Sequence, residues 1–147
     1  MRLTVHSDYS LRVLTFLALK RGDLATIPEI SEAYGISRGH LMKVVHALGR
    51  LGYVATLRGR NGGLTLGKAA DSIRIGQVLR QTEESLALVE CFAKGQSSLG
   101  CKIDGTCRLK GVLAEAQRAF FDVLDRYTLA DIVDGRAAPL KRLLRLA

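Results

Sequence analysis

Apolar residues return every three or four positions along most of this chain, and only two short stretches favour strand formers instead. The first periodic segment opens at Ser7-Asp8, where Asp8 is favourable near the positive N-terminal end of a helix dipole. Tyr9, Val13, Phe16, Leu17 and Lys20 follow at helical spacing, and Gly22 is the stop. Thr26-Ile-Pro-Glu29 reads as a capping box with Pro in the first turn, opening a short helix over Ile27–Tyr34 with Ile27, Ile30 and Ala33 inward. Gly35-Ile36-Ser37 is a turn in which Gly supplies positive φ, Ile36 plugs the core and Ser37 caps the next helix. That helix spans about Arg38–Leu51, with Leu41, Val44, Val45, Leu48 and Leu51 as its apolar stripe. Arg38, Gly39, His40 and Lys43 are left on the outer face of its first turns.

Short helix, glycine turn and longer helix make the helix-turn-helix pattern, for which a plain helical hairpin is the competing reading. The next residues favour the former. Tyr53–Leu57 and Leu64–Leu66 are rich in strand formers and flank Arg58-Gly-Arg-Asn-Gly-Gly63, so they predict a two-stranded wing with an arginine-bearing tip. Asn61-Gly62 is ordinary hairpin chemistry; Arg58 and Arg60 are suited to phosphates or a narrow minor groove. Ser72–Glu83 predicts another helix, with Ile73, Ile75, Val78 and Leu79 apolar, running into Leu86–Val89. After Cys107 come Leu109, Val112, Leu113, Ala116, Phe120, Val123, Leu124 and Tyr127, a stripe that needs a packed partner, most naturally a second subunit. Thr128 caps a short helix to Val133, and Pro139 precedes a basic tail helix. The expected architecture is mainly α with a small β-wing. Residues 1–80 form a winged helix-turn-helix domain, 81–108 a cysteine-bearing region, and 109–147 a dimerisation helix and tail.

Charge sharpens this picture. The chain has 147 residues and a formal net charge of +8. Residues 1–80 carry 12 Lys/Arg against 5 Asp/Glu, and residues 81–147 carry 10 against 9. Between Glu32 and Asp71 no acid occurs, while Arg38, Lys43, Arg50, Arg58, Arg60 and Lys68 all do. A solvated basic face is the bland reading of such a run; a window this long points to nucleic acid, which a winged helix-turn-helix would meet as double-stranded DNA. The apolar run Leu11–Leu19 is broken by Arg12, lacks a cleavage site and is too short to span a bilayer, so neither a signal peptide nor a membrane partner is expected. Three cysteines, an odd number, argue against a disulfide scaffold and for a reduced, cytoplasmic setting.

All three cysteines fall between Cys91 and Cys107, in a Gly/Ser-rich stretch without periodicity. Thiolates bind soft or borderline metals, and three on one loop can converge on a centre. The spacing lacks the paired Cys-x-x-Cys of zinc ribbons, which weakens zinc. Lys94, Gly95, Gln96, Ser97, Ser98, Lys102 and Asp104 do not build an apolar pocket, which weakens inert buried cysteines. A redox switch closing one disulfide remains the main competitor. A cluster or tetrahedral metal would need a fourth ligand, from His6, His40, His46, Asp8, another carboxylate or a small molecule. No paired acid and base is evident, and the glycines of 59–63 lack the Lys-Ser/Thr of a phosphate loop, so an enzyme is not expected.

The motifs together resemble the winged-helix repressor family that includes the nitric-oxide-sensitive, iron–sulfur-cluster and rhizobial iron regulators. The resemblance rests on Met1-Arg-Leu-Thr4 with Asp8-Tyr9, Tyr34-Gly-Ile-Ser37, His40-Leu-Met-Lys43, Leu57-Arg-Gly-Arg-Asn-Gly-Gly63, Glu90-Cys91 and Cys107-Arg-Leu-Lys110, followed by Tyr127-Thr-Leu-Ala-Asp131. His40–Lys43, Cys107–Lys110 and Tyr127–Asp131 look like the nitric-oxide-sensitive (NsrR-type) branch. Lys110 stands where the cluster-regulator branch carries a histidine ligand, while Thr82–Ser85 through Cys91-Phe92 looks like the rhizobial iron regulator. The resemblance implies a homodimeric transcriptional repressor that senses nitric oxide through an iron–sulfur cluster, [4Fe–4S] ahead of [2Fe–2S]. Cys91, Cys101 and Cys107 would be the ligands. Asp8 would serve from the partner subunit, or remain a helix N-terminal charge. The nine residues between Cys91 and Cys101 are more than the family usually shows. Ser37, Arg38, His40 and Lys43 would face DNA from the recognition helix, and Arg58 and Arg60 from the wing. The alternatives are an iron-responsive regulator of the same family and a thiol-redox-switched repressor without a cluster.

Overall fold

A computed structural model describes residues 2–92 and 101–146. Helix α1 (Val5–Leu19) runs through the centre of the core, with Val13, Leu14, Phe16, Leu17 and Leu19 buried. It begins earlier than Ser7-Asp8. Thr4 is the N-cap, its hydroxyl accepting from the Ser7 amide, and Ser7 is itself buried inside the first turn.

Helix α2 (Ile27–Tyr34) forms as its capping box requires: Thr26 Oγ1 accepts from the Glu29 amide, and Glu29 accepts from the Thr26 amide. Ile30 is its fully buried residue, while Ile27 and Ala33 pack half-buried at the core edge. Gly35 closes the helix at φ 65°, the left-handed region that glycine adopts without strain. Ile36 is buried, and Ser37 caps α3 (Arg38–Arg50) by accepting from the His40 amide at 3.4 Å.

Strands β1 (Val54–Leu57) and β2 (Gly63–Leu66) pair antiparallel, from Val54 opposite Leu66 to Leu57 opposite Gly63. Ala25 and Leu64 exchange two backbone hydrogen bonds, so the loop after α1 braces the wing as a partial third strand. The segment expected as one helix over Ser72–Glu83 divides in two. Ala70–Ser72 is a single 3-10 turn, and α4 (Ile75–Thr82) starts only after Arg74, because Ile73 and Arg74 are extended and bond to the chain around Thr128.

Helix α5 (Arg108–Leu124) is followed by α6 (Leu129–Val133), whose capping box joins Thr128 and Asp131, and by α7 (Ala137–Leu143). Pro139 lies inside the first turn of α7 rather than before it, where its missing N–H costs no helical bond. Leu129 and Val133 belong to the same buried cluster as α1, and Ala137, Leu140 and Leu144 pack against it. No described helix is long and apolar enough to cross a membrane.

Candidate functional site

Leu41, Val44, Val45 and Leu48 are buried, which fixes the rotation of α3 about its own axis. Ser37, Arg38, His40 and Lys43 are thereby brought together on the exposed side of its first turns. The His40 ring leans towards α1, its centroid 6.0 Å from that of Tyr9. Met42, His46 and Arg50 share the outward side and were not among the expected DNA-facing residues. Their signal was present: Gly39, Lys43, His46 and Arg50 recur at helical spacing opposite the buried stripe, and Met42 borders that line.

Arg58 and Arg60 are exposed at the wing tip. Its backbone leaves no freedom at two glycines. Gly59 sits at φ 113°, and a Cβ on Gly62 would lie 2.3 Å from the Leu57 carbonyl oxygen. The tip therefore presents its two arginines on a tightly closed turn.

The cysteines lie at the other end of the chain's plan. Cys91 is half-buried in a single 3-10 turn (Glu90–Phe92), Cys101 is exposed, and Cys107 is half-buried as the N-cap of α5. All three are free thiols, and Cys107 makes no side-chain capping bond. Among the described residues no three His, Cys, Asp or Glu side chains come together as a metal site. The polar run Lys94 to Ser98 lies outside the described residues. Asp8, expected as a partner-supplied ligand, is committed within this subunit to Arg12, with Nη2 to Oδ2 at 3.1 Å and both side chains nearly half exposed. That hydrogen bond holds the Arg12 guanidinium above its ordinary pKa. Of the nitrogen candidates, His40 and His46 are exposed on α3, whereas His6 is half-buried at the start of α1.

One joint connects the helix that starts at Cys107 to the wing-bearing body. Arg80 on α4 forms a bidentate pair with Asp125 just past α5, both N–O distances being 2.7 Å, and lies 4.3 Å over the Phe121 ring. Arg74 Nη1 donates to the Asp125 carbonyl at 2.7 Å. The Arg80 hydrogen bonds pull the Asp125 carboxyl below the usual range. Gly76 is what lets the two elements approach, since a Cβ there would stand 2.0 Å from Asp125 Oδ1. Above the joint, Thr4 donates backbone N–H and hydroxyl to Glu83, and Ser7 and Thr82 share a buried hydroxyl–hydroxyl bond at 2.9 Å. The first turn of α1 is thus tied to the end of α4.

The two sides of α5 differ. Phe121 is buried, Leu113, Gln117, Phe120 and Leu124 are half-buried, and Gln117 donates to the Leu86 carbonyl. Leu109 (62% exposed), Val112 (52%), Ala116, Val123 and Tyr127 stay bare. The apolar stripe read from the sequence is therefore divided between two faces, and Phe121, its best-buried member, was not in it.

The model of the Rrf2 family, described as iron-dependent transcriptional regulator, matches residues 3–135. The chain is 54% identical over 134 residues to the HTH-type transcriptional regulator NsrR of Bacillus licheniformis, covering 90% of this chain and 92% of that protein. It is 50% identical over 144 residues to the NsrR regulator of Bacillus subtilis, covering 97% of each. Among solved structures it is similar to CymR, the global cysteine regulator of B. subtilis, with TM-score 0.72 and 25% identity over 90% of this chain and 95% of that one. An outward basic helix and a braced arginine wing, set in a chain this similar to such regulators, make it a transcriptional regulator rather than an enzyme. The chain belongs to the Rrf2 family.

Proposed function

We propose that this chain is a homodimeric repressor that binds a double-stranded operator and responds to nitric oxide through an iron–sulfur cluster. The observation that carries this reading is the arrangement of α5. It begins at an uncommitted cysteine, ends in a rigid joint with the wing-bearing body, and keeps a bare apolar face between. The donor chemistry suits the cluster: Cys91, Cys101 and Cys107 are soft, unpaired thiols, and since such clusters ordinarily take four ligands, three leave one position for another donor. These three would hold a [4Fe–4S] cluster, with [2Fe–2S] as the alternative, and the partner subunit's Asp8 would complete the set. Asp8 must leave Arg12 to do so, at small cost, because exposed ion pairs contribute only ~0–1 kcal/mol.

When bound, the cluster would supply iron to which nitric oxide can bind in competition with the thiolates of Cys91, Cys101 and Cys107. Everything else falls to the protein. Ligation would hold Cys91, Cys101 and Cys107 together at the start of α5, and their release would free that start. While the cysteines are ligated, Ser37, Arg38, His40 and Lys43 meet bases and phosphates in the major groove, and Arg58 and Arg60 meet the flanking backbone or minor groove. Repression needs the two recognition helices one helical turn of DNA apart, so a changed α5 pairing weakens binding. A coupling of ~1–3 kcal/mol makes a useful switch. In this scheme residues 1–80 read DNA, 81–108 sense, and 109–147 carry the pairing helix.

The test is anaerobic purification with an absorption spectrum and iron and sulfide assay, then nitric oxide titration during a DNA-binding assay. A metal-free protein that binds the operator equally with and without nitric oxide would sink the sensor reading. The family's iron-dependent description favours a second reading, in which iron status is the signal. An iron chelator would then release DNA without nitric oxide. For a thiol-redox repressor the protein would be colourless, and its DNA binding would follow dithiothreitol alone.

A further inference from the structure

We infer that Met42 is a specificity-determining residue, reading the C5-methyl group of a thymine in the major groove. The inference rests on α3 being the recognition helix. Across the acid-free stretch 33–70, the large hydrophobic side chains left exposed are Met42, 56% exposed, and Leu57, 55% exposed, at the root of the wing tip. Met42 lies on the second turn of α3, beside Lys43 and one turn beyond Arg38. Its neighbours Leu41 and Val44 are fully packed, so the helix cannot roll to bury it. Tyr9 approaches His40, and Met42 keeps more than half of its surface open.

The exposed part of a methionine among outward cations adds nothing to the packed core. Against DNA it has one chemically distinct mate. Base edges in the major groove are hydrogen-bonding groups, except for the thymine methyl, which is apolar. Methionine is unbranched and polarizable, so it can follow that methyl without demanding one rotamer. The surrounding Arg38, His40 and Lys43 supply affinity and orientation through phosphates and polar edges. Met42 would then distinguish thymine from the other bases at one position of each half-site.

The experiment uses the full chain and a duplex selected by it from a random DNA pool. Each thymine of a half-site is replaced singly by deoxyuridine, which removes only the methyl group. One replacement should weaken wild-type binding about fourfold, the worth of one buried methyl. Met42→Ala should bind the thymine and deoxyuridine duplexes alike, while Met42→Leu should keep the discrimination. Wild-type binding indifferent to every replacement, or Met42→Ala discriminating as wild type does, overturns the inference while leaving the DNA-binding reading intact. Failure of the wild-type chain to select any duplex would instead remove that reading, and this inference with it.

Discussion

Arg58 and Arg60 sit on a turn whose backbone is already closed, so removing their side chains changes charge and leaves the fold alone. Arg58→Ala and Arg60→Ala should weaken binding about equally for cognate and unrelated DNA. Each should lower the slope of log affinity against log salt by about 1 for every phosphate left without its cation. A loss confined to one operator sequence would show that the arginine reads a base. Gly76 makes a different kind of demand. Gly76→Ala places a methyl against Asp125 Oδ1, at a site where Arg80 already holds both carboxylate oxygens. Overpacking of this sort costs about 2 kcal/mol, readable as a lowered denaturation midpoint. In the double variant with Asp125→Ala the cost should be less than the sum of the two single changes, because the clashing atom is gone. Strict additivity would refute the clash.

At the level of elements, the bare side of α5 is where subunits should meet. Val112→Asp together with Ala116→Asp should give a monomer by sedimentation, with unchanged far-UV circular dichroism and DNA affinity reduced at least about tenfold. A dimer that persists would move the interface elsewhere. The joint at the far end of α5 carries a pH dependence. The Arg80 bonds lower the Asp125 pKa in the folded state, so their stabilising effect is present above the unfolded value near 3.8. It is lost as pH falls through the lower folded value. Asp125→Asn should therefore cost stability at neutral pH and bring the variant level with wild type at the acid end. Much at this level was legible in the sequence. The α2 capping box, the Gly35 turn and the buried stripe of α3 are local patterns with local causes, and they form as the residues dictate. The α1 start was misread because Asp8 is a good first-turn residue, whereas the cap itself, Thr4, is secured by Glu83 nearly eighty positions away. For α5, periodicity marked an apolar surface, but it could not divide that surface between the helix's own domain and a partner. Phe121 was overlooked because its environment comes from Arg80 and α4, which sequence spacing does not reveal.

Over the whole molecule, charge and shape fall into one order. The excess of cations is concentrated in the first eighty residues, where 12 Lys/Arg face 5 Asp/Glu, while the remainder is close to balance. Association with DNA should therefore be fast at low ionic strength and slow steeply with added salt, whatever the state of the cysteines. Stopped-flow measurement on apo and metal-loaded protein should give parallel salt curves; diverging slopes would mean that the cysteine region itself touches DNA. Helix α5 links the Cys107 end to the wing-bearing body, alongside the chain that runs from α4 to Cys91. Helix α5 is clamped along its second half by Gln117, Phe121 and Asp125. From Gln117 back to Cys107 the helix extends about 15 Å, so a turn of about 5° at the near edge of the clamp sweeps the Cys107 end through roughly 1.3 Å. Such a lever trades distance for force: a displacement of the Cys107 end arrives at the clamp as a shorter, more forceful one. The mechanical advantage lies with the Cys107 end, so on the proposed reading a change in cysteine ligation there would act on the packed core through the clamp.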